Sequence, residues 1–116
     1  MNYFRKDIRN VRGDTYSLGF IAENINQELD TVYFTCRDNL SDNSNIIFQK
    51  SLDDGITLTE QSTNKYSYSI RIAPEDTQEL QSGIYYYDIE IGLNDDIFTI
   101  MKGKFIIEQD CTWEDE

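Results

Sequence analysis

A chain of 116 residues is the size of one domain, and at that length folding hides roughly two-thirds of the surface that the extended chain exposes. Twenty-two acidic residues against ten basic ones set the net charge at −12, which repels nucleic acid phosphates and anionic membrane surfaces and weighs against both as partners. There is no histidine, so neither a Ser-His-Asp nor a Cys-His arrangement can be assembled.

The opening "MNYFRKDIRN" lacks the apolar core of a signal peptide, and no apolar run is long enough for a spanning helix. Synthesis and folding in a bacterial cytoplasm is the expectation. Cys36 and Cys111 are too few for a disulfide framework and have no second pair to suggest zinc, so both are expected as reduced thiols. Aromatic residues make up 13% of the chain and proline occurs once, a composition that suits strands.

Period-two alternation begins weakly over residues 6–11 and becomes clear from Tyr16 to Ala22, where Tyr16, Leu18, Phe20 and Ala22 share a face. In "DTVYFTCRD", Val32, Phe34 and Cys36 stand together against Thr31, Tyr33, Thr35 and Arg37. A polar loop over residues 37–45 precedes a short strand at 46–50, the turn "LDDG", and a further strand at 56–60. The cleanest amphipathic strand is "YSYSIRIA", with Tyr66, Tyr68, Ile70 and Ile72 on one side. Pro74 and Gly83 bracket the one place where a single helical turn is plausible. Then "IYYYDIEIG" aligns Tyr85, Tyr87, Ile89 and Ile91, and Asn94-Asp95-Asp96 turns the chain into a last strand from Ile97. There the alternation of Phe98 and Ile100 breaks at Lys102-Gly103-Lys104 and resumes out of phase at Phe105 and Ile107, which predicts a bulge near Gly103. The pattern predicts an all-β, immunoglobulin-like antiparallel sandwich of seven to eight strands over residues 1–110, followed by an acidic tail at 111–116.

Two motifs sharpen this. "VRGDTY" reads as a tight turn, because Gly13 supplies an unusual backbone angle between Arg12 and Asp14, rather than as an adhesive tripeptide. "ELQSGIYYYD" carries a Leu80-x-x-Gly83-x-Tyr85 spacing that resembles the tyrosine corner of immunoglobulin-like sandwiches, in which a Tyr bonds back to the chain just upstream. Together with Tyr87, Ile89, Thr99, Gly103, Phe105 and, at the end, Asp110 with Thr112, these segments resemble a family of small immunoglobulin-like proteins and domains of phages and prophages, including the N-terminal domain of baseplate upper proteins, with Cys111 standing where that pattern has an aliphatic residue. The resemblance implies a non-enzymatic structural or assembly protein of a tail or baseplate. Its implied partners are other phage structural proteins or further copies of itself, and its implied destination is the virion. Residues 30–65 contribute little to it beyond alternation.

The remaining candidates for chemistry have structural explanations. Cys36 alternates with Val32 and Phe34, as a buried thiol would. The acidic pairs Asp53-Asp54, Glu75-Asp76 and Asp95-Asp96 all fall in predicted turns, where Asp is common for backbone reasons. The loop "DNLSDNSN" has Leu40 where a calcium loop needs a third-position oxygen and lacks the sixth-position glycine. No catalytic residue, metal ligand or cofactor is therefore expected. Tyr33 and Tyr86 are predicted on outward faces and, with Trp113, are the candidates for a partner surface. A concave surface lined by them would favour the alternative reading, a carbohydrate-binding or adhesive module.

Overall fold

The computed structural model describes residues 3–39 and 45–109. Nine strands and one helical turn follow in chain order: β1 (Phe4–Arg5), β2 (Ile8–Val11), β3 (Tyr16–Glu23), β4 (Thr31–Arg37), β5 (Ile46–Leu52), β6 (Gly55–Ser62), β7 (Lys65–Ile72), α1 (Pro74–Thr77), β8 (Gly83–Leu93) and β9 (Asp96–Glu108). The strands fall where alternation predicts them, with the weak first strand split in two, and α1 falls between Pro74 and Gly83. Asn94 and Asp95 both take positive φ (52° and 70°), as a two-residue hairpin turn between β8 and β9 requires.

Pairing links all nine described strands in the order β1-β9-β8-β4-β5-β6-β7-β3, with β2 also on β9. The two-residue β5–β6 contact divides them into a larger layer, β2-β9-β8-β4-β5 with β1 ahead of β2 on the same edge, and a smaller one, β6-β7-β3. β5 thus extends the larger layer beside β4, as an added strand does in some immunoglobulin-like sandwiches. Three pairings depart from the antiparallel expectation. β1 and β2 both run parallel to β9, because the chain starts beside its own last strand and in the same direction. β5 and β6 touch in parallel through Ser51–Gly55 and Leu52–Ile56 as the chain passes from one layer to the other.

One core lies between the layers. From the larger sheet come Val32, Phe34, Cys36, Tyr87, Ile89, Phe105 and Ile107; from the smaller come Ile56, Tyr68, Ile70 and Ile72. These are the residues that alternation placed inside. Phe34 stacks on Tyr87 (5.1 Å between ring centres) and Phe48 (6.0 Å), while Phe105 meets both Phe34 and Phe48 edge-on. Such contacts add roughly 1 kcal/mol each to the burial of the rings themselves. The layers are also joined by polar bonds: Leu29 N–H donates to the Tyr68 hydroxyl (2.9 Å), and Lys50 of β5 pairs with Asp76 of α1 (2.6 Å). Asp76 also accepts the Ala73 N–H (2.7 Å), so this half-buried carboxylate closes the start of the helical turn.

The bulge sits elsewhere than the sequence predicts. β8 and β9 change register between Ile89–Met101 and Glu90–Thr99, so the extra residue on β9 is Ile100. Met101, Gly103, Phe105 and Ile107 then oppose Ile89, Tyr87, Tyr85 and Gly83. Gly103 has a different reason to be glycine: a Cβ there would lie 2.1 Å from the carbonyl oxygen of Lys6. That carbonyl, at the break between β1 and β2, also accepts the Tyr87 hydroxyl (2.8 Å), while the Lys6 N–H bonds to Lys102 (3.0 Å). The N-terminal segment is thereby pinned to β9.

Candidate functional site

The predicted fingerprint residues are structural. Gly13 has φ +83° and Asp14 N–H bonds back to the Val11 carbonyl (2.9 Å), the geometry of a tight turn with glycine at its third position. The turn is docked rather than displayed: Gly13 N–H donates to the buried Thr77 hydroxyl (2.8 Å) and Arg12 reaches the Leu80 carbonyl (3.4 Å). The Tyr85 hydroxyl donates to the Gln81 carbonyl (2.8 Å), which is the tyrosine corner that the Leu80-x-x-Gly83-x-Tyr85 spacing predicts. Phe105 lies fully in the core, and Gly103 and Tyr87 hold the N-terminal segment. Burial pushes the Cys36 thiol up to about 12, so at neutral pH it is a protonated, inert core group. Asp76 serves α1, while Asp53 and Asp95 occupy turns with positive φ. Most of the loop over 38–45 lies outside the described residues, as do Cys111 and Trp113. No group of three or more potential metal ligands occurs among the described residues.

Two surfaces remain. The first is the edge of the smaller sheet. β3 pairs with β7 over eight consecutive residues without a shift and has no strand on its other side among the described residues. Its inner residues Tyr16, Leu18, Phe20 and Ala22 are only half-buried, although they pack on the core, and Ile21 on its outer face is 58% exposed. Elsewhere edges are interrupted: β5 meets β6 only at its end and changes register against β4 between Cys36 and Arg37. β1 and β2 are short, interrupted and charged, and β6 changes register between Leu58 and Glu60. Except for Glu23 at its end, paired with Lys65 (3.8 Å), β3 carries none of these.

The second is the outward face of the larger sheet. Register sets its side chains in rungs. Lys102, Asp88, Thr35 and Gln49 stand side by side across β9, β8, β4 and β5; Lys104, Tyr86 and Arg37 form the next rung; Glu90 and Tyr33 stand on the rung at the other side. Lys102, Asp88, Thr35, Lys104, Tyr86 and Arg37, with Arg5 and Asp7, border a concavity of about 660 Å³, and Tyr33, Gln49 and Glu90 border a smaller one of about 310 Å³ beside it. Tyr33 and Tyr86 thus lie on one outward face as predicted, each half-buried among charged neighbours. Burial raises the pKa of Asp88, and the charges of Arg37 and Lys102 only partly offset it. Above the rungs, the Tyr3 ring holds Lys102 Nζ 4.7 Å and the Arg5 guanidinium carbon 5.6 Å from its centre.

Sequence reasoning missed the cations of this face. Lys102 and Lys104 share one side of β9, as Tyr86 and Asp88 share one side of β8, and that spacing was readable. Which residues of neighbouring strands stand opposite them depends on the bulge at Ile100, and that was not.

No family model matches the sequence, and no curated protein matches it. Solved structures do. A family 123 glycoside hydrolase from Clostridium perfringens aligns over 95% of this chain and 24% of its own, with TM-score 0.57 and 14% identity. This chain therefore spans about a quarter of the hydrolase, and at that identity the likeness is one of fold. The extracellular domain of the voltage-gated sodium channel β4 subunit aligns over 95% of this chain and 96% of its own at TM-score 0.40 and 19% identity. A second structure, from work on cell-adhesive interactions of sodium channel β subunits, aligns over 93% of both chains at TM-score 0.38 and 17% identity.

Proposed function

We propose that this chain is a non-enzymatic binding module acting through protein contacts, and that the bare edge of β3 is the surface it offers. The observation that carries this reading is eight residues of regularly paired strand with one side open among the described residues, over inner side chains that the sandwich covers only in part. A partner strand laid along β3 would satisfy its outward backbone groups and finish the burial of Leu18 and Phe20. Such a partner is either another protein or a second copy of the chain. The setting we propose is a phage tail or baseplate, with synthesis in the host cytoplasm followed by incorporation in the virion. That setting rests on the resemblance carried by the Arg12-Gly13-Asp14 turn, the Leu80 to Tyr87 segment and the Gly103 to Phe105 strand.

Cross-linking mass spectrometry of phage particles induced from the source bacterium tests both parts. The expected result is this chain at a fixed ratio to the capsid protein, with cross-links to a neighbour from Lys65, which stands opposite Glu23 on the strand next to β3. Ile21→Lys should abolish that contact and leave the isolated fold intact, because a lysine on an edge strand opposes pairing. Absence from intact particles would sink the phage setting; cross-links that avoid Lys65 would sink the β3 surface.

A second reading, a carbohydrate-binding or adhesive module, is favoured by the concavity bordered by Tyr86.

A further inference from the structure

The free side of β3 presents a definite set of backbone groups. Asn24 N–H donates to the Asn64 carbonyl (2.8 Å), and Asn64 stands directly opposite Asn24 when the β3–β7 register is continued by one place. Asn24–Asn64 is therefore a hydrogen-bonded pair, and such pairs alternate with non-bonded ones along an antiparallel ladder. The even-numbered residues of β3 bond to β7, while Ser17, Gly19, Ile21 and Glu23 turn their N–H and C=O groups to the open side. The Thr59 hydroxyl of β6 agrees with this: it donates to the Ser67 carbonyl (3.2 Å), so Ser67, opposite Ile21, bonds away from β3.

Two-fold pairings of this edge with a second copy of the chain differ in the residue that lies on the axis. With Gly19 on the axis, Glu23 finds no partner within the strand; with Ile21 on it, Ser17 finds none. With Phe20 on the axis all four outward residues pair. Ser17 then opposes Glu23 and Gly19 opposes Ile21, each combination occurring twice and each pair making two backbone bonds.

The side chains of that register fit one another. Phe20 meets Phe20 of the second copy in a non-hydrogen-bonded pair, where Cα atoms approach to about 4.5 Å, and Leu18 meets Ala22, a large residue against a small one. On the outer face Ile21, 58% exposed, lies beside Gly19, which has no side chain to compete for the space. Charge permits the contact as well. Glu23, the one acid of the strand, is paired with Lys65 (3.8 Å) and would oppose Ser17. The two Glu23 residues would stand about 20 Å apart, beyond the screening length at physiological salt. The net charge of −12 is thus not concentrated where the copies meet.

From this geometry we infer that two copies of the chain pair antiparallel through β3 about a two-fold axis at Phe20, joining their smaller layers into one sheet, β6-β7-β3-β3-β7-β6. The inference rests on the reading of β3 given above and names its partner.

The test is sedimentation equilibrium of the full chain and of the variants Ile21→Lys and Ile21→Glu. In the inferred register the two residues at position 21 are diagonal neighbours about 7–8 Å apart, so like charges there repel and opposite charges attract. The expected result is a reversible dimer, weakened tenfold or more in either variant alone and regained when the two variants are mixed, with urea midpoints unchanged. Intermolecular NMR contacts between labelled and unlabelled chains should join Leu18 to Ala22 and Phe20 to Phe20. The amides of Ser17, Gly19, Ile21 and Glu23 should gain protection from exchange as concentration rises. A chain that stays monomeric up to about 1 mM would overturn self-pairing, and cross-links from Lys65 to another protein in particles would then still support the β3 surface. A dimer that neither variant weakens would overturn this interface. A dimer that mixing does not restore, or contacts that join Leu18 to Phe20, would overturn the register. Protection of the four amides at every concentration would mean that another part of the chain already covers the edge, and would overturn both readings.

Discussion

The larger sheet closes its outer edge with the chain's own N-terminal segment, whereas the smaller sheet stops at β3 with nothing beside it among the described residues. The same contrast runs through the packing. Phe34, at the centre of the larger sheet, has no exposed surface and touches three aromatic rings; Phe20, on β3, is half-buried and stacks on Tyr68 alone (5.4 Å). Sheet edges attract other chains unless they are blocked, and this chain blocks one edge with Arg5, Lys6 and Arg9 on short broken strands while leaving the other regular and apolar inside. The contrast separates two tasks: the larger sheet holds the fold, and the smaller one is where a partner can still add to it.

The sharpest way to break that division is to remove one ring from each side. Phe34→Ala should cost about 4 kcal/mol of unfolding free energy, in the range for deleting a buried aromatic side chain. Phe20→Ala should cost less, about 3 kcal/mol, because part of its surface is already in water and it loses one stacked partner. Urea unfolding of the two variants checks this, and equal losses would mean that β3 is as much a part of the stabilising core as β4.

Next in size is the lock on the closed edge. In Gly103→Ala the new methyl would meet the Lys6 carbonyl, so β1 and β2 must shift away from β9 at a cost of about 2 kcal/mol. The informative readout is hydrogen exchange. Amides of β2 should lose protection while those of β3 and β7 keep theirs, and the newly bared edge of β9 should raise self-association in sedimentation. If protection falls uniformly, the N-terminal segment is part of one cooperative unit and no separate lock exists. Smaller still is the tyrosine corner: Tyr85→Phe removes the bond to Gln81 and should cost about 1 kcal/mol, with no change in the oligomeric state.

The sequence made the inside of this molecule legible and left most of its outside dark. Alternation identified Val32, Phe34, Ile70, Ile89 and Phe105 as core, because one face of each strand has to leave water and a period of two leaves no ambiguity about which. Turns were equally readable at Gly13 and at Asn94-Asp95, where the backbone conformation restricts the residue type. Gly103 was recognised as special for the wrong reason. Its constraint comes from Lys6, nearly a hundred residues earlier, and no local pattern carries such a contact. The concavity was hidden for the same cause. Arg5, Arg37, Asp88 and Lys102 are scattered along the chain, and only strand order and register bring them together.

The smallest effect concerns the charge that the larger sheet carries on its outward face. Burial raises the Asp88 carboxyl above its ordinary value of 3.8, with Arg37 and Lys102 pulling it back only in part. In the unfolded chain this carboxyl ionises at the ordinary value. Between that value and the raised one, the folded state therefore holds a proton that the unfolded state has lost. Stability falls as pH climbs through that window and is flat above it. Asp88→Asn removes the slope, so the stability of the variant minus that of the natural chain should grow from mildly acidic pH upward and then level off. Subtracting the two curves cancels the other carboxylates of this acidic chain. The opposite sign, a natural chain that gains on the variant as pH rises, would mean that Arg37 and Lys102 outweigh burial and that the rung is a stabilising ion-pair network. With the expected sign, the larger sheet gives up a little stability at neutral pH to keep an ionised acid among cations.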